Sequence, residues 1–408
     1  MKLLFVVTAV CVCGCGAGSD SIVTLVTNRQ EIVAYSETFN SIQNDCRLEI
    51  QYRENTPAAL SPQAGGADLI IMENLAGRTS ARGFRSLEGI FGKDGLNRKD
   101  FYSALLAVGQ HEKKQTLIPV SFNLPILVFD AWASGPESSQ FMINLDDLPG
   151  LAAQKNKKTG GGYVSMGFAP RWNPDFLVQA ALMRGAAFFE GSADILAWND
   201  SSLWQTIARL GAWTDTHNGG PGAEISYAEK YLYDPPYRQV SLGRVKYAFT
   251  TAADFFLLPE NRRLSLDFRW LAHEKKIFAH ERVLFAGIPA ASKNPKRAEA
   301  FLKWLFSVGT QRSLLELSRR KMPRGFGIAS GFSSLRQINE EEFPRLYPRL
   351  AGHIPPEDIL VFPHPLPYIW NRIKPQVLIP WMLKQLSAEP AGEPLDTQLQ
   401  GWLQHQAD

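Results

Sequence analysis

Ser21-Ile-Val-Thr-Leu-Val-Thr27 opens the stretch whose reading decides the fold. Its β-branched run reads as a buried strand. Asn28-Arg29-Gln30-Glu31 follows as a loop and helix start, and Ile32, Tyr35, Phe39 and Ile42 give Ile32–Gln43 helical spacing. Arg47-Leu-Glu-Ile-Gln-Tyr52 alternates as a second strand, and Ala67-Asp68-Leu-Ile-Ile-Met72 is a third, ending in Glu73-Asn74. Strand, helix, strand, loop, strand is the pattern of a parallel sheet in an α/β protein. Ligands of such sheets bind beyond the carboxyl ends of the strands, which places Asn28–Glu31 and Glu73-Asn74 at a potential site.

Outward from this unit, Thr116-Leu-Ile-Pro-Val-Ser-Phe-Asn-Leu-Pro-Ile-Leu-Val-Phe129 is strand-rich and interrupted by two prolines. Asn156-Lys-Lys-Thr-Gly-Gly-Gly162 is a glycine loop, where a crossing to a second lobe is expected. Phe176–Phe189, Ser202–Trp213 and Ala291–Val308 carry helical apolar faces. Lys246-Tyr-Ala-Phe-Thr-Thr251 reads as a strand after a turn at Gly243. The tail is proline-rich from Ile354 to Trp370, then helical through Leu386 with breaks expected at Pro375 and Pro380.

The first fifteen residues have their own logic. One basic residue precedes about ten apolar ones and then small residues and cysteines, the layout of a secretory signal peptide. The apolar run is shorter than the ~20 residues a membrane span needs. Val12-Cys13-Gly14-Cys15 resembles a bacterial lipobox, which implies cleavage after residue 14 and lipidation of Cys15; an ordinary cleaved, cysteine-rich signal is the alternative. Residues 15–21 then form a short flexible lipidated linker. This address is the outer face of the cytoplasmic membrane, on the periplasmic side if an outer membrane exists. Cys46 is then the only free thiol expected in the mature chain, so no internal disulfide is expected.

With 45% hydrophobic and 20% charged residues the chain can bury substantial cores. A net charge of +3 from 43 bases and 40 acids gives no footprint for nucleic acid. Catalytic patterns are missing as well. His111-Glu112, His273-Glu274 and His280-Glu281 lack the second histidine a zinc helix needs, since Gln115, Ile277 and Leu284 stand there. No nucleophile elbow, phosphate-binding loop or dinucleotide fingerprint is present. No cofactor and no metal are expected, and the chain does not read as an enzyme.

Four segments, in order, resemble the extracellular solute-binding proteins of sugar-type ABC transporters, the family containing maltose-binding protein. They are Ala67–Met72, Leu117–Asn123 with Leu127–Asp130, Val240–Thr250, and the long Ile288–Ser307 with Gln311. The resemblance implies a two-lobed periplasmic-binding-protein fold, each lobe a mainly parallel sheet flanked by helices, joined by a hinge. Lobe one is expected over 22–129 and 285–322, lobe two over 130–284 and 323–408. It implies a monomer that captures a small solute, a sugar or oligosaccharide, and delivers it to ABC permease subunits.

Carried over residue by residue, lobe-one contacts fall at Asn28, Arg29, Glu31, Glu73, Asn74 and Asn123. Lobe-two contacts fall at Trp172, Asn173, Asp254 and Phe255. The loop Gly167-Phe-Ala-Pro-Arg171-Trp172-Asn173-Pro174 adds Arg171, and Arg324 sits near a crossing between lobes. Met72-Glu73-Asn74 and Ala253-Asp254-Phe-Phe depart from the maltose-binding pattern, so maltose itself is not implied. Arg29, Arg171 and Arg324 suit a glycerol-phosphate ester or glycerophosphodiester as the alternative ligand. Two other classes are a secreted glycan hydrolase using Glu31, Glu73 or Asp254, and a scaffolding lipoprotein without ligand.

Overall fold

A computed structural model describes residues 22–60, 66–93, 95–132, 139–191, 195–321, 325–389 and 392–407. The signal segment, Cys15, the linker and Arg324 lie outside the described residues. Ten strands carry the two main sheets: β1 (Ile22–Thr27), β2 (Arg47–Tyr52), β3 (Leu69–Glu73), β4 (Ile118–Phe122), β5 (Pro125–Asp130), β6 (Met142–Asn144), β7 (Ala248–Thr251), β8 (Leu266–Ala272), β9 (Leu284–Gly287) and β10 (Phe332–Ser333). The first sheet has the order β10-β4-β9-β3-β1-β2 and the second β7-β5-β8-β6. The principal helices are α1 (Gln30–Ile42), α2 (Pro174–Met183), α3 (Asp200–Asn218), α4 (Pro221–Tyr231), α5 (Ala252–Leu257), α6 (Pro295–Leu305) and α7 (Val308–Lys321).

The opening βαβ unit forms as its pattern predicts. β1 pairs in parallel with β2 from Ile22↔Arg47 to Thr27↔Tyr52, and with β3 from Leu25↔Leu69. Asp68 then locks the distant α6 segment onto this unit. Its carboxylate accepts from Thr24 N at 3.1 Å, Ser292 Oγ at 2.8 Å and the backbone N–H groups of Lys293 and Asn294, both at 2.9 Å. Burial alone would raise its pKa, but these donors hold it below the usual carboxylate range. Phe39 of α1 meets Phe301 of α6 edge-to-face at 5.2 Å, which fixes the two helices side by side.

The second sheet is covered on both faces, and β5 shows how. Its side chains alternate with period two: Ile126 and Val128 join the core shared with lobe one, Leu127 and Phe129 the core of lobe two. The latter holds Phe176, Trp213, Trp370 and Trp381. Between the lobes, Phe256 stacks on Phe326 at 5.0 Å and Trp270 meets Phe332 at 6.0 Å.

The two-lobed α/β architecture agrees with the sequence reading, with four corrections. The ladders are mixed rather than mainly parallel: β9 runs antiparallel to β3 and β4, and β5 antiparallel to β7 and β8. Lobe boundaries shift too. β5 belongs to the second sheet, so the crossing falls at Asn123-Leu124 and not after residue 129, while β10 returns to the first sheet from the tail assigned to lobe two. Pro119 does not end β4; it sits where the β4–β9 register slips, as expected of a residue without an N–H. The glycine loop at 156–162 is a hairpin, Lys157–Thr159 with Gly162–Ser165, turning on Gly160 and Gly161 with φ of 59° and 86°.

Helix limits follow local chemistry. α2 stops at Met183 because Gly185 takes φ 86°, and Phe188–Phe189 becomes a short strand instead of the helix end. Pro375 and Pro380 do not break the tail helix. A π-helical turn at Lys374–Leu378 lies between helical Trp370–Ile373 and Ile379–Gln385, absorbing the prolines. His-Glu-Lys-Lys, at 111–114 and again at 273–276, makes a tight turn each time, with Glu and Lys at φ near 50° and 63°.

Candidate functional site

The carboxyl ends of β1 and β3, the start of β9 and the loops of the second sheet converge between the lobes. Arg29, just past β1, donates from Nη2 to Glu73 Oε1 at the end of β3. Asn74 follows in the left-handed region at φ 55°, turning the chain away from the sheet. Asn28 Nδ2 donates to Glu54 O at 3.3 Å. Glu31, in the first turn of α1, accepts from Ser330 Oγ.

Asn123 is the hinge clamp. Its Oδ1 accepts from Leu124 N at 3.0 Å and from Ala253 N of lobe two at 3.2 Å, and its backbone carbonyl accepts from His280 N at 2.8 Å. Asn123 thus holds α5 through its side chain and the returning crossing at His280 through its backbone carbonyl. Asp254, next to Ala253, is exposed and accepts from Thr251 Oγ1 at 2.6 Å.

The centre of the interlobe charge is a group the sequence reading passed over. His280-Glu281-Arg282 lies on the crossing into β9, where the sequence pattern offers only an incomplete zinc motif. Glu281 is buried and contacted by Lys374, whose Nζ also donates to Asp175 at 2.5 Å. Burial opposes ionisation of Glu281, yet the Lys374 ammonium and Arg282 beside it hold its carboxyl below the usual carboxylate range. His280 is fully buried, and burial pushes its imidazole down, so it is neutral; its Nδ1 accepts from Arg282 N at 3.3 Å. Arg282 itself is exposed. Desolvation lowers its pKa, but Glu73, Glu281, Asp254 and Asp175 around it raise it further. Asp175, His280 and Glu281 offer ligand atoms within 4.8 Å of one another, but the Lys374 ammonium already stands among the carboxylates and supplies their counter-charge.

The remaining predicted residues belong to lobe two's own packing. Phe255 is 1% exposed, pressed between Phe256 and Phe268, and is a core residue and not a contact. Asn173 caps α2: its Oδ1 accepts from Phe176 N at 3.2 Å while Nδ2 donates to Phe249 O at 3.0 Å. Trp172 is half-buried, donates from Nε1 to Glu224 O at 3.1 Å and stacks on Tyr227 at 5.5 Å. Arg171 donates to Pro221 O at 3.4 Å. Capping and stacking therefore occupy the polar-aromatic loop that composition alone made attractive.

Beside the charged group, a cavity of about 390 Å³ lies between the lobes. Arg78, Gln110 and His111 line it from lobe one, Phe189 and Glu190 from lobe two, and His364 and Pro365 close it. Glu190 bridges the lobes, accepting from Thr79 N at 2.5 Å and Tyr368 N at 3.2 Å. No local signal marked this wall, because its residues come from four separated segments.

No family model and no curated protein matches the sequence. Solved structures match over nearly the whole chain. CpMnBP1 with mannotriose bound is 14% identical, with a TM-score of 0.61 over 94% of this chain and 98% of its own. The ABC substrate-binding protein Lmo0181 from Listeria monocytogenes, in complex with cycloalternan, is 13% identical, with a TM-score of 0.62 over 94% and 97%. The maltose/maltodextrin-binding domain MalE from Bdellovibrio bacteriovorus, bound to maltotriose, is 14% identical, with a TM-score of 0.58 over 95% and 100%. The chain has the two-lobed fold of these binding proteins.

Proposed function

We propose that this protein is the substrate-binding component of an ABC importer, capturing a sugar or oligosaccharide between its lobes and delivering it to membrane permease subunits. The neighbours of the same fold that bind mannotriose, cycloalternan and maltotriose support this reading. It places the mature chain outside the cytoplasmic membrane, held by a lipid on Cys15. Among the described residues no helix is long and apolar enough to cross a membrane, which leaves the N-terminus as the proposed anchor.

The observation that carries the choice of ligand is the charge balance of the cleft. Arg29 is already paired with Glu73, and Arg282 stands among Glu73, Glu281, Asp254 and Asp175. A phosphate entering here would meet carboxylates at short range, a repulsion that grows as water is excluded. A neutral polyol meets the reverse situation. Its hydroxyls donate to Asp254 and Glu73 and accept from Arg282, all charge-assisted bonds. Arg171, a support for the phosphate alternative, points to Pro221 O instead.

The same pairing argues against the hydrolase. Glu73 is ion-paired with Arg29 and Asp254 accepts from Thr251 Oγ1, so both carboxylates are already engaged by neighbours within the fold. The protein is therefore proposed to bind and not to react.

A thermal-shift comparison of residues 16–408 with mannotriose, maltotriose and glycerol 3-phosphate tests this. At a hundredfold excess over Kd a bound ligand adds about 2.7 kcal/mol of stability. A shift with the phosphate alone would replace the sugar reading; a shift with a neutral oligosaccharide alone supports it.

A further inference from the structure

The end of lobe one opposite the cleft collects positive charge. Strand β1 enters the fold there at Ile22, paired in register with Arg47 at the start of β2. Asn294 Nδ2 donates to Ile22 O at 3.0 Å, which brings Lys293, Lys296 and Arg297 to the same place. Ala290 N donates to Gly83 O at 2.8 Å and Arg85 N to Ile288 O at 3.0 Å, adding the loop with Arg82 and Arg85. Arg47, Arg82, Lys293 and Lys296 are exposed. The carboxylates on these segments, Asp45, Glu49 and Glu299, are fewer, and that of Asp68 is buried and fully hydrogen-bonded.

Two features separate this from an ordinary solvated face. Lys296 and Arg297 occupy the first turn of α6, which carries no acid, so two cations stand at the positive end of a helix dipole. The Asp68 carboxylate, accepting from Lys293 N and Asn294 N, offsets them from inside the fold, and Lys296 stays exposed to an external anion. Ile22 and Ile42 are also exposed within the same end, giving it an apolar component.

We propose that this basic end of lobe one docks on the anionic phospholipid surface of the membrane that holds the protein. The position of Ile22 supplies the occupant. If Cys15 carries the lipid, residues 15–21 span at most about 25 Å. The first part of the body to reach the bilayer is then the end that bears Arg47, Lys293 and Lys296. Cations at an anionic surface gain about fivefold in partitioning each, and the effect decays within a screening length. The inference draws its geometry from the lipidation reading, but the surface itself is tested without the lipid.

The test is co-sedimentation of the mature body, residues 16–408, with vesicles of phosphatidylcholine containing phosphatidylglycerol, against phosphatidylcholine alone. The wild type partitions to the anionic vesicles and releases when salt rises from about 0.1 M to about 1 M, where the screening length falls from about 10 Å to about 3 Å. The variant Arg47→Gln, Arg82→Gln, Lys293→Gln, Lys296→Gln loses partitioning by roughly six-hundredfold. A control of equal charge change on lobe two, Lys157→Gln, Lys158→Gln, Arg209→Gln, Lys230→Gln, keeps it. Equal partitioning to neutral vesicles, or equal loss in both variants, overturns the proposal. The mass of the full-length chain and its Cys15→Ser variant reports lipidation separately, so failure of the anchor and failure of the docking surface give different results.

Discussion

Glu224 makes lobe two sensitive to pH in a calculable way. It is 0% exposed at the start of α4, with Asn218 Nδ2 donating to Oε1 at 2.7 Å, and its backbone carbonyl holds Trp172. Burial raises its pKa most; the hydrogen bonds and nearby Arg171 pull it partly back, leaving about 7 against an ordinary 4.5. The folded state therefore binds this proton more tightly than the unfolded chain does. Stability is greatest below about pH 4.5 as far as this group is concerned, and falls until the carboxylate is ionised in both states above about pH 7. The shift is worth about 3 kcal/mol at 1.36 kcal/mol per unit. Glu224→Gln keeps the acceptor for Asn218 and removes the titration. The stability of this variant relative to wild type, from thermal or urea unfolding at pH 4.5 to 8, should rise by about 3 kcal/mol, a few degrees in Tm, and level off above about pH 7. A difference that stays constant across that range would mean that Glu224 does not titrate with a raised pKa in the folded protein.

Other consequences can be checked with the same methods. Lys374→Met leaves Glu281 buried without its counter-charge and should cost about 3–5 kcal/mol, read by urea unfolding at neutral pH; a cost below about 1 kcal/mol would remove Lys374 from the centre of the cluster. Phe255→Ala should cost about 3–5 kcal/mol while leaving oligosaccharide affinity unchanged in the folded fraction, because the ring is core. Asn123→Ala removes the acceptor shared by Leu124 and Ala253, and should widen the small-angle scattering profile of the unliganded protein; an unchanged profile would mean the clamp is redundant.

Local chemistry made much of the fold legible. The run Ile22–Thr27, the Arg47–Tyr52 alternation and the turn at Gly243 each needed only neighbours in sequence, and each formed as read. Prolines misled where the partner strand or helix decided the outcome: Pro119 was accommodated by a register slip and Pro375 by a π-helical turn, neither visible without the partner. The site was less legible. Asn123, Arg29 and Glu73 fell where strand ends predict, but Asp175, Glu281 and Lys374 meet from positions 199 and 93 residues apart. No spacing rule links such positions. Trp172 and Asn173 had a signal typical of binding loops, yet the same residue types also serve to cap and stack, which is the use made of them here.

The central claim is capture of a neutral sugar by a cleft whose exposed donor is Arg282. Isothermal titration of neutral oligosaccharides and glycerol 3-phosphate into residues 16–408 and into Arg282→Ala tests it most directly. Saturable binding of an oligosaccharide, no heat from the phosphate, and a loss of about tenfold or more in the variant are expected, the last being the effect of removing a charge-assisted hydrogen bond. Tight binding of the phosphate, or oligosaccharide binding indifferent to Arg282, would contradict it.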